Sequence, residues 1–252
     1  MTQHLLQGRT EGEVTWFQRR SFMTAAAAWT AMGGFTSAEA QSRSNIIELN
    51  GDAFINGERL RAQQTIQTGD KLETGPGSSL IFVLGNSSFQ VRQNTNMIVE
   101  RGATLTAVSV LRLLAGGVAS VWGRGGNRRI VTPTLTAGIR GTGVYTEILA
   151  NQNGRSYFCN CYGTVDVGAG GDKALSRASY HQSFWGEVQP VNGRFLTPAK
   201  AINHTDEEME TLARLVNQRT AWQISGRRGT KDGMGYADGQ PAQPHPAQIP
   251  GQ

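Results

Sequence analysis

Cysteine, charge and long apolar runs are all scarce in this sequence. Among 252 residues there are two cysteines, and charged residues make up only 17%. No apolar run after residue 40 approaches the roughly 20 residues that a membrane-spanning helix requires. The part of the chain after residue 40 is therefore not expected to cross a membrane.

Signatures of nucleophilic catalysis are absent as well. The chain has no Gly-x-Ser-x-Gly sequence, and the surroundings of Cys159 do not resemble those of a thiol protease nucleophile. Acidic residues are sparse where strands are expected, which leaves few candidates for the paired carboxylates of a glycosidase. These absences predict a binding protein rather than an enzyme.

The N-terminal segment carries the pattern of a bacterial export signal. The pair Arg19 and Arg20 precedes a weakly apolar run of roughly fourteen residues, which is too short for a stable membrane anchor. The run ends in an Ala-Glu-Ala sequence that predicts cleavage after Ala40. The arginine pair favours the twin-arginine route. We therefore expect a periplasmic protein, with an alanine-rich N-terminal helix of a cytosolic protein as the alternative.

Glycine is abundant and the net charge is positive. The 32 glycines, together with short apolar runs, favour turn-rich β structure over a helical bundle. A net charge of +5 would suit an anionic partner. The arginines are scattered, however, without the interleaved aromatic residues that bind single-stranded nucleic acid. We expect no nucleic acid partner and interpret the charge as a solubilising surface.

Short apolar runs alternate with turn signals from Ile46 onward. Asn-Gly and Gly-Asp pairs between the runs tolerate the positive φ angles of tight hairpins. The pattern predicts an all-β domain, as a small antiparallel β-sandwich, a barrel or a solenoid-like fold. The expected strands include 46–49, 53–55, 80–84, 89–91, 97–99, 108–114, 118–122, 130–132, 143–149, 156–160 and 164–167.

The first helix signal is a capping box at Thr205 and Glu208, followed by an apolar stripe at helical spacing up to about Trp222. After this stripe, glycine, proline and glutamine dominate, so the tail cannot bury enough surface to become ordered. The expected layout is a signal over residues 1–40, a β domain over 41–200, a short helix within 201–224 and a disordered tail over 225–252.

The order of the turn residues resembles the FecR domain family, over roughly residues 46–167. The most specific element is a Thr-Pro pair followed by an Ile-Arg-Gly-Thr run, here Thr132, Pro133, Arg140, Gly141 and Thr142. The resemblance implies an all-β periplasmic domain of envelope or iron-related signalling. In FecR-like regulators a sigma-binding region and a membrane helix precede this domain, whereas an export signal precedes it here.

The glycines of this motif have two interpretations. The Arg140–Gly143 run could form a nest of backbone amides for an anion, as some glycine-rich loops do. We favour a structural role, in which Gly141 and Gly143 let strands approach closely and Arg140 pairs with a nearby acid.

A subset of exported FecR-domain proteins is similar in a further segment, an aromatic-Cys-x-Cys-Tyr-Gly run that here contains Cys159 and Cys161. In that subset a histidine pair follows, and a short terminal helix begins near a His-(Ser/Thr)-Asp sequence. Here His181 stands alone where the pair would be, and His204 begins the His-Thr-Asp sequence. The resemblance implies no chemistry for these residues.

The two cysteines are the strongest chemical candidates. On a strand, residues two apart share a face, and their Cα atoms lie about 6.6 Å apart, at the outer limit for a disulfide. A soft metal ion such as zinc would suit Cys159 and Cys161, with His181 and His204 as further ligands. A disulfide, which the oxidising periplasm favours, and buried thiols remain alternatives.

Three functional hypotheses follow. The first is a periplasmic binding or sensing module of the FecR type that engages an envelope protein or ligand through strand edges and loops. The second is an exported metal- or cofactor-binding protein centred on Cys159, Cys161 and His181. The third is a structural envelope protein whose basic loops bind cell-wall polymer.

Overall fold

The computed structural model describes residues 44–104, 106–230 and 235–236. The predicted export signal, with Arg19, Arg20 and the cleavage site after Ala40, lies outside these residues, as does most of the predicted tail. No helix in the described part of the chain is long and apolar enough to span a bilayer.

The fold is all-β with a short helical segment near the C-terminus, as the sequence predicts. The strands are β1 (Ile46–Asn50), β2 (Ala53–Ile55), β3 (Glu58–Arg59), β4 (Lys71–Thr74), β5 (Ser79–Leu84), β6 (Ser87–Val91), β7 (Asn96–Arg101), β8 (Val108–Trp122), β9 (Arg128–Val131), β10 (Thr136–Ile139), β11 (Gly143–Leu149), β12 (Arg155–Ala169), β13 (Asp172–Ala178), β14 (Gln182–Val191), β15 (Arg194–Ala199), β16 (Gly229–Thr230) and β17 (Gly235–Tyr236).

The strands β1 to β15 form two sheets that share the long strands β8 and β12. The first sheet has the order β1-β5-β6-β8-β11-β12-β14-β15, and every neighbouring pair is antiparallel. The second has the order β3-β2-β4-β7-β8-β9-β10-β12-β13, in which only β8 and β9 run parallel. Buried side chains of both sheets join in one apolar cluster, which makes the architecture a sandwich.

The strands β8 and β12 are continuous, although the sequence pattern divides each of them in two. Each bends at a glycine with positive φ, Gly116 (73°) in β8 and Gly163 (104°) in β12. A Cβ atom at Gly116 would lie 2.6 Å from the Cα atom of Thr95, so only glycine fits there. The glycines therefore turn the backbone from one sheet into the other without ending the strand.

The first sheet separates two apolar clusters. Its inner face packs against the second sheet through large buried side chains such as Phe82, Phe89 and Phe158. Its outer face carries Tyr157 and both cysteines of β12, because successive side chains of a strand point to opposite faces. The cysteines therefore lie outside the main core, beneath the C-terminal segment.

The C-terminal segment contains two helices, α1 (Asp206–Leu215) and α2 (Ala221–Ser225), rather than one helix that continues to Trp222. The predicted capping box is present, since the Thr205 hydroxyl accepts from the Glu208 amide and the Glu208 carboxylate accepts from the Thr205 amide. A second capping box at Thr220 and Gln223 begins α2. Beyond Ser225, the strands β16 and β17 pair with each other, and the remaining tail lies outside the described residues.

Helix α1 packs on the outer face of the first sheet. Met209 and Leu212 are fully buried there. The Ser88 hydroxyl donates to the Leu212 carbonyl at 2.7 Å, and the Arg92 guanidinium donates to the Glu208 carboxylate at 2.8 Å. Both apolar and polar contacts thus hold the helix to the sheet.

Replacing Gly143 with alanine is expected to destabilise the fold by about 1–3 kcal/mol, because it overpacks this interface. The new Cβ atom would lie 2.4 Å from the Tyr162 ring and 2.9 Å from the Met209 methyl carbon. Denaturant unfolding should show the loss. Gly171→Ala is the matched control, since a Cβ atom there meets nothing within 4 Å. Equal midpoints for the two variants would contradict this packing.

Candidate metal centre

Four side chains predicted as metal ligands meet in one place. The thiols of Cys159 and Cys161 and the ring nitrogens of His181 and His204 all lie within 4.8 Å of one another. The two sulfur atoms are 3.8 Å apart, and Cys159 Sγ lies 3.5 Å from His181 Nδ1. His181 Nδ1 lies 3.0 Å from His204 Nε2. The fold therefore brings together all four predicted ligands.

Three of the six separations are close to the edges of a tetrahedron around one zinc ion. Zinc binds sulfur at about 2.3 Å and nitrogen at about 2.0–2.1 Å, so tetrahedral edges are about 3.8 Å for S–S, 3.5 Å for S–N and 3.3 Å for N–N. The observed values are 3.8, 3.5 and 3.0 Å. The sulfur–sulfur distance is also far longer than the roughly 2.05 Å of a disulfide bond.

A two-iron cluster does not fit the same geometry. In a Rieske centre the two cysteines bind one iron and the two histidines bind the other. Here Cys159 Sγ and His181 Nδ1 are in contact at 3.5 Å, which places a cysteine and a histidine around the same point. The donor set therefore suits a mononuclear centre.

The outward-facing nitrogens of both histidines are fixed by acceptors. His204 Nδ1 lies 2.6 Å from the Ile202 carbonyl oxygen, and His181 Nε2 lies 3.0 Å from the Asp206 carboxylate. Because these oxygens accept hydrogen bonds, each of those nitrogens carries a hydrogen. The other nitrogens, His181 Nδ1 and His204 Nε2, then present lone pairs to each other at 3.0 Å. Such a pair is repulsive unless a proton or a metal ion lies between the two atoms.

The electrostatics of the cluster favour a thiolate at Cys159. Burial alone raises the pKa of the Cys159 thiol, but Cys161, His204 and His181 together lower this pKa well below its usual value. Burial alone lowers the pKa of His181, yet the hydrogen bond to Asp206 and the neighbouring Cys159 raise it to about 9. Without a metal ion these shifts pair a Cys159 thiolate with a protonated His181, and a bound ion would take the place of that proton. The thiolate is the form that binds metals.

Local backbone structure sets the direction of each ligand. Alternation along β12 points Cys159 and Cys161 to the same side of the sheet. His181 has a φ of 24°, an uncommon value for a residue other than glycine, and its amide donates to the Cys161 carbonyl at 3.0 Å. His204 directly precedes the N-cap of α1. Strained backbone of this kind concentrates at functional sites.

The centre is closed to solvent. The side chains of Cys159, Cys161 and His181 are fully buried, and His204 is only 7% exposed. The indole of Trp222 stacks on the His181 ring, with centroids 5.3 Å apart. Four protein ligands without an open position are typical of structural zinc sites rather than catalytic ones.

Asp206 has a role at this centre that the sequence pattern does not predict. The pattern identifies this residue only as an acid in the first turn of a helix, where it suits the helix dipole. In the structure its carboxylate is 3% exposed and accepts from the His181 ring and from the Tyr180 hydroxyl. Only its place in the His-Thr-Asp sequence, beside a predicted ligand, could have indicated this role.

The motif residues that carry the FecR resemblance are not among the four candidate ligands. The Thr132 hydroxyl accepts from the Leu135 amide across the Thr-Pro turn, where Pro133 follows. Arg140 donates to the Asp166 carboxylate at 3.0 Å, as expected for a pair with a local acid. Gly141 has a φ of 71°, and Thr142 is buried, with its carbonyl accepting from the Trp122 amide. These contacts fit the structural interpretation of the motif.

Comparisons with known proteins identify no family for this chain. No family model matches the sequence, and no curated protein does. Two crystal structures of a proposed anti-sigma factor from Parabacteroides distasonis ATCC 8503, at 1.65 and 2.50 Å, match with a TM-score of 0.42 and identities of 11% and 12%. The matches cover 57% and 53% of this chain and 64% and 59% of those chains. Membership of the FecR domain family therefore stays a prediction from the sequence.

Proposed function

We propose that this chain is an exported metal-binding protein, in which Cys159, Cys161, His181 and His204 hold one soft metal ion. The observation that carries the proposal is the convergence of two thiols and two imidazole nitrogens within 4.8 Å of one another, with three of the separations close to those of a tetrahedral zinc site. The acceptors behind both histidines add support, because metal-binding histidines almost always donate their second nitrogen to such a group.

Zinc is the ion that this donor set suits best. Two thiolates and two imidazoles in a tetrahedron are typical of structural zinc, whereas magnesium and calcium prefer oxygen donors. Twin-arginine export transports folded proteins, so the ion could be bound before the chain leaves the cytoplasm. We therefore propose a metal-loaded protein that works in the periplasm.

The proposed role of the centre is structural support for binding, rather than catalysis. All four positions of a tetrahedral ion would be filled by protein donors, which leaves none for a substrate or an activated water. The wider role that we propose is that of a periplasmic binding or sensing module. The all-β fold and the FecR-like turn motif support this role, with an envelope protein or ligand as the partner.

Metal analysis of the full-length protein, exported by its own signal and purified from the periplasm, tests the metal centre. We expect about one ion per chain by elemental analysis and by native mass spectrometry, and none in the Cys159→Ser/Cys161→Ser variant. Glu207→Gln, which changes an exposed side chain in the first turn of α1, is the control and should keep the ion. Metal-free wild-type protein, with a mass two hydrogens lower because of a disulfide, would overturn the proposal.

A further inference from the structure

The four ligands come from two structurally distinct parts of the protein. Cys159, Cys161 and His181 belong to the β-sandwich, on β12 and on the residue before β14. His204 belongs to residues 203–228, which contain α1 and α2 and which we call the C-terminal clasp. An ion bound at the centre would therefore link the clasp to the sandwich.

The helices of the clasp are too short to be stable without the sandwich. They contain 10 and 5 residues, and isolated helices shorter than about 12–15 residues are marginal in water. The clasp stays folded by burying Met209, Leu212 and Trp222 against the first sheet. Because its helices are this short, its folding depends strongly on how the start of α1 is fixed to the sheet.

The metal centre contacts the clasp at the start of α1. His204 immediately precedes the N-cap, and the buried Asp206 carboxylate accepts from His181 at 3.0 Å. If the ion is absent, only a shared proton can join the facing nitrogens of His181 and His204, which lie 3.0 Å apart. Loss of the ion thus leaves one hydrogen bond where the ion would join His204 to three ligands of the sandwich, and this weakens the attachment at the start of α1.

The rest of the sandwich does not depend on this attachment. The large cluster between the two sheets contains no residue of the clasp. Beneath the clasp lies a separate apolar surface of the first sheet, formed by Ala119, Val121, Tyr145, Tyr157 and Tyr162. Opening of the clasp would expose this surface while the core between the sheets stays closed.

We infer that the ion controls the clasp: the metal-bound protein keeps residues 203–228 on the first sheet, and loss of the ion releases them locally. This inference rests on the proposed metal centre. It also gives the ion a route of entry, because the only ligand with exposed surface is His204 and Trp222 covers the ring of His181. The exposed tyrosine-rich face then becomes available only in the metal-free state.

Hydrogen–deuterium exchange on the full-length protein tests the inference. Metal-bound protein is compared with the same sample after chelation and after the metal is restored, with the metal content of each measured. We expect the amides of α1 and α2 to lose at least tenfold of their protection on chelation and to regain it with metal. Amides of β7 and β9 in the second sheet should stay much better protected than those of the clasp, because the sandwich remains folded without the ion.

A substitution of His204 tests whether this one ligand holds the clasp on the sandwich. His204→Ala leaves three ligands on the sandwich, so its clasp should exchange rapidly even with metal present. Glu207→Gln changes an exposed acid in the first turn of α1 and should exchange like the wild type. Equal protection of the clasp with and without measured metal would overturn this inference but not the metal centre. Loss of protection to the same extent in the clasp and in β7 would do the same. Absence of metal from every sample would instead overturn the proposed centre.

Discussion

Chelation of the bound ion is expected to lower the melting temperature of the wild-type protein by roughly 8–16 °C. A ligand held about a thousandfold above its dissociation constant stabilises the folded state by about 4 kcal/mol. For a domain of this size, each kcal/mol shifts the melting temperature by about 2–4 °C. Differential scanning calorimetry with and without a strong chelator measures the shift.

The control for this experiment is the Cys159→Ser/Cys161→Ser variant, whose melting temperature should not respond to the chelator. Serine keeps nearly the same side-chain size but is a poor ligand for a soft ion. The variant should also melt below the metal-bound wild type. If the wild type melted at the same temperature with and without chelator, the ion would contribute nothing to the fold.

The Asp206→Asn substitution is expected to weaken metal binding by about 10- to 100-fold, the usual cost of losing the partner of a metal-binding histidine. The carboxylate of Asp206 fixes the hydrogen on His181 Nε2 and leaves Nδ1 with the lone pair that faces the centre. An amide at this position has no charge and can turn its NH₂ group toward the same nitrogen. Competition with a chromophoric chelator at constant pH measures the change.

Glu207→Gln is the matched control, since it removes a carboxylate from the neighbouring position of the same helical turn. The Glu207 side chain is 73% exposed and does not contact the ligands, so its loss should leave the metal affinity within about twofold. Circular dichroism should show that both variants are folded. Unchanged affinity in Asp206→Asn would mean that the carboxylate does not orient His181.

The sequence predicts strands well where apolar residues alternate between turn glycines, as in β1, β5 and β11. It does not predict the course of β8 and β12, because a glycine between two apolar runs has the same pattern whether it ends a strand or bends it. The pairing of β8 with neighbours in both sheets shows that Gly116 bends the strand.

Some strands carry weak local signals. Strand β13 is rich in alanine, lysine and leucine, which favour helices. Strand β15 contains Pro198, which is tolerated there because β15 lies at the edge of the first sheet. In both cases pairing with a neighbouring strand determines the structure, and this pairing is not visible in the local sequence.

The candidate site, too, combines features that the local sequence predicts with features that depend on tertiary contacts. The ligand types could be recognised because Cys-x-Cys on a strand must place both thiols on one face. The position of His181 could not, because its φ of 24° has no local signature. Asp206 has the pattern of an ordinary helix-start acid, and its contact with His181 exists only after the clasp has packed on the sheet.

The most direct test of the metal centre is X-ray absorption spectroscopy at the edge of whichever metal is bound to the periplasmic protein. The geometry predicts two sulfur ligands at about 2.3 Å and two nitrogen ligands at about 2.0–2.1 Å, without a bound water. A shell of only oxygen and nitrogen, or a second metal within the cluster, would contradict a mononuclear site made by Cys159, Cys161, His181 and His204.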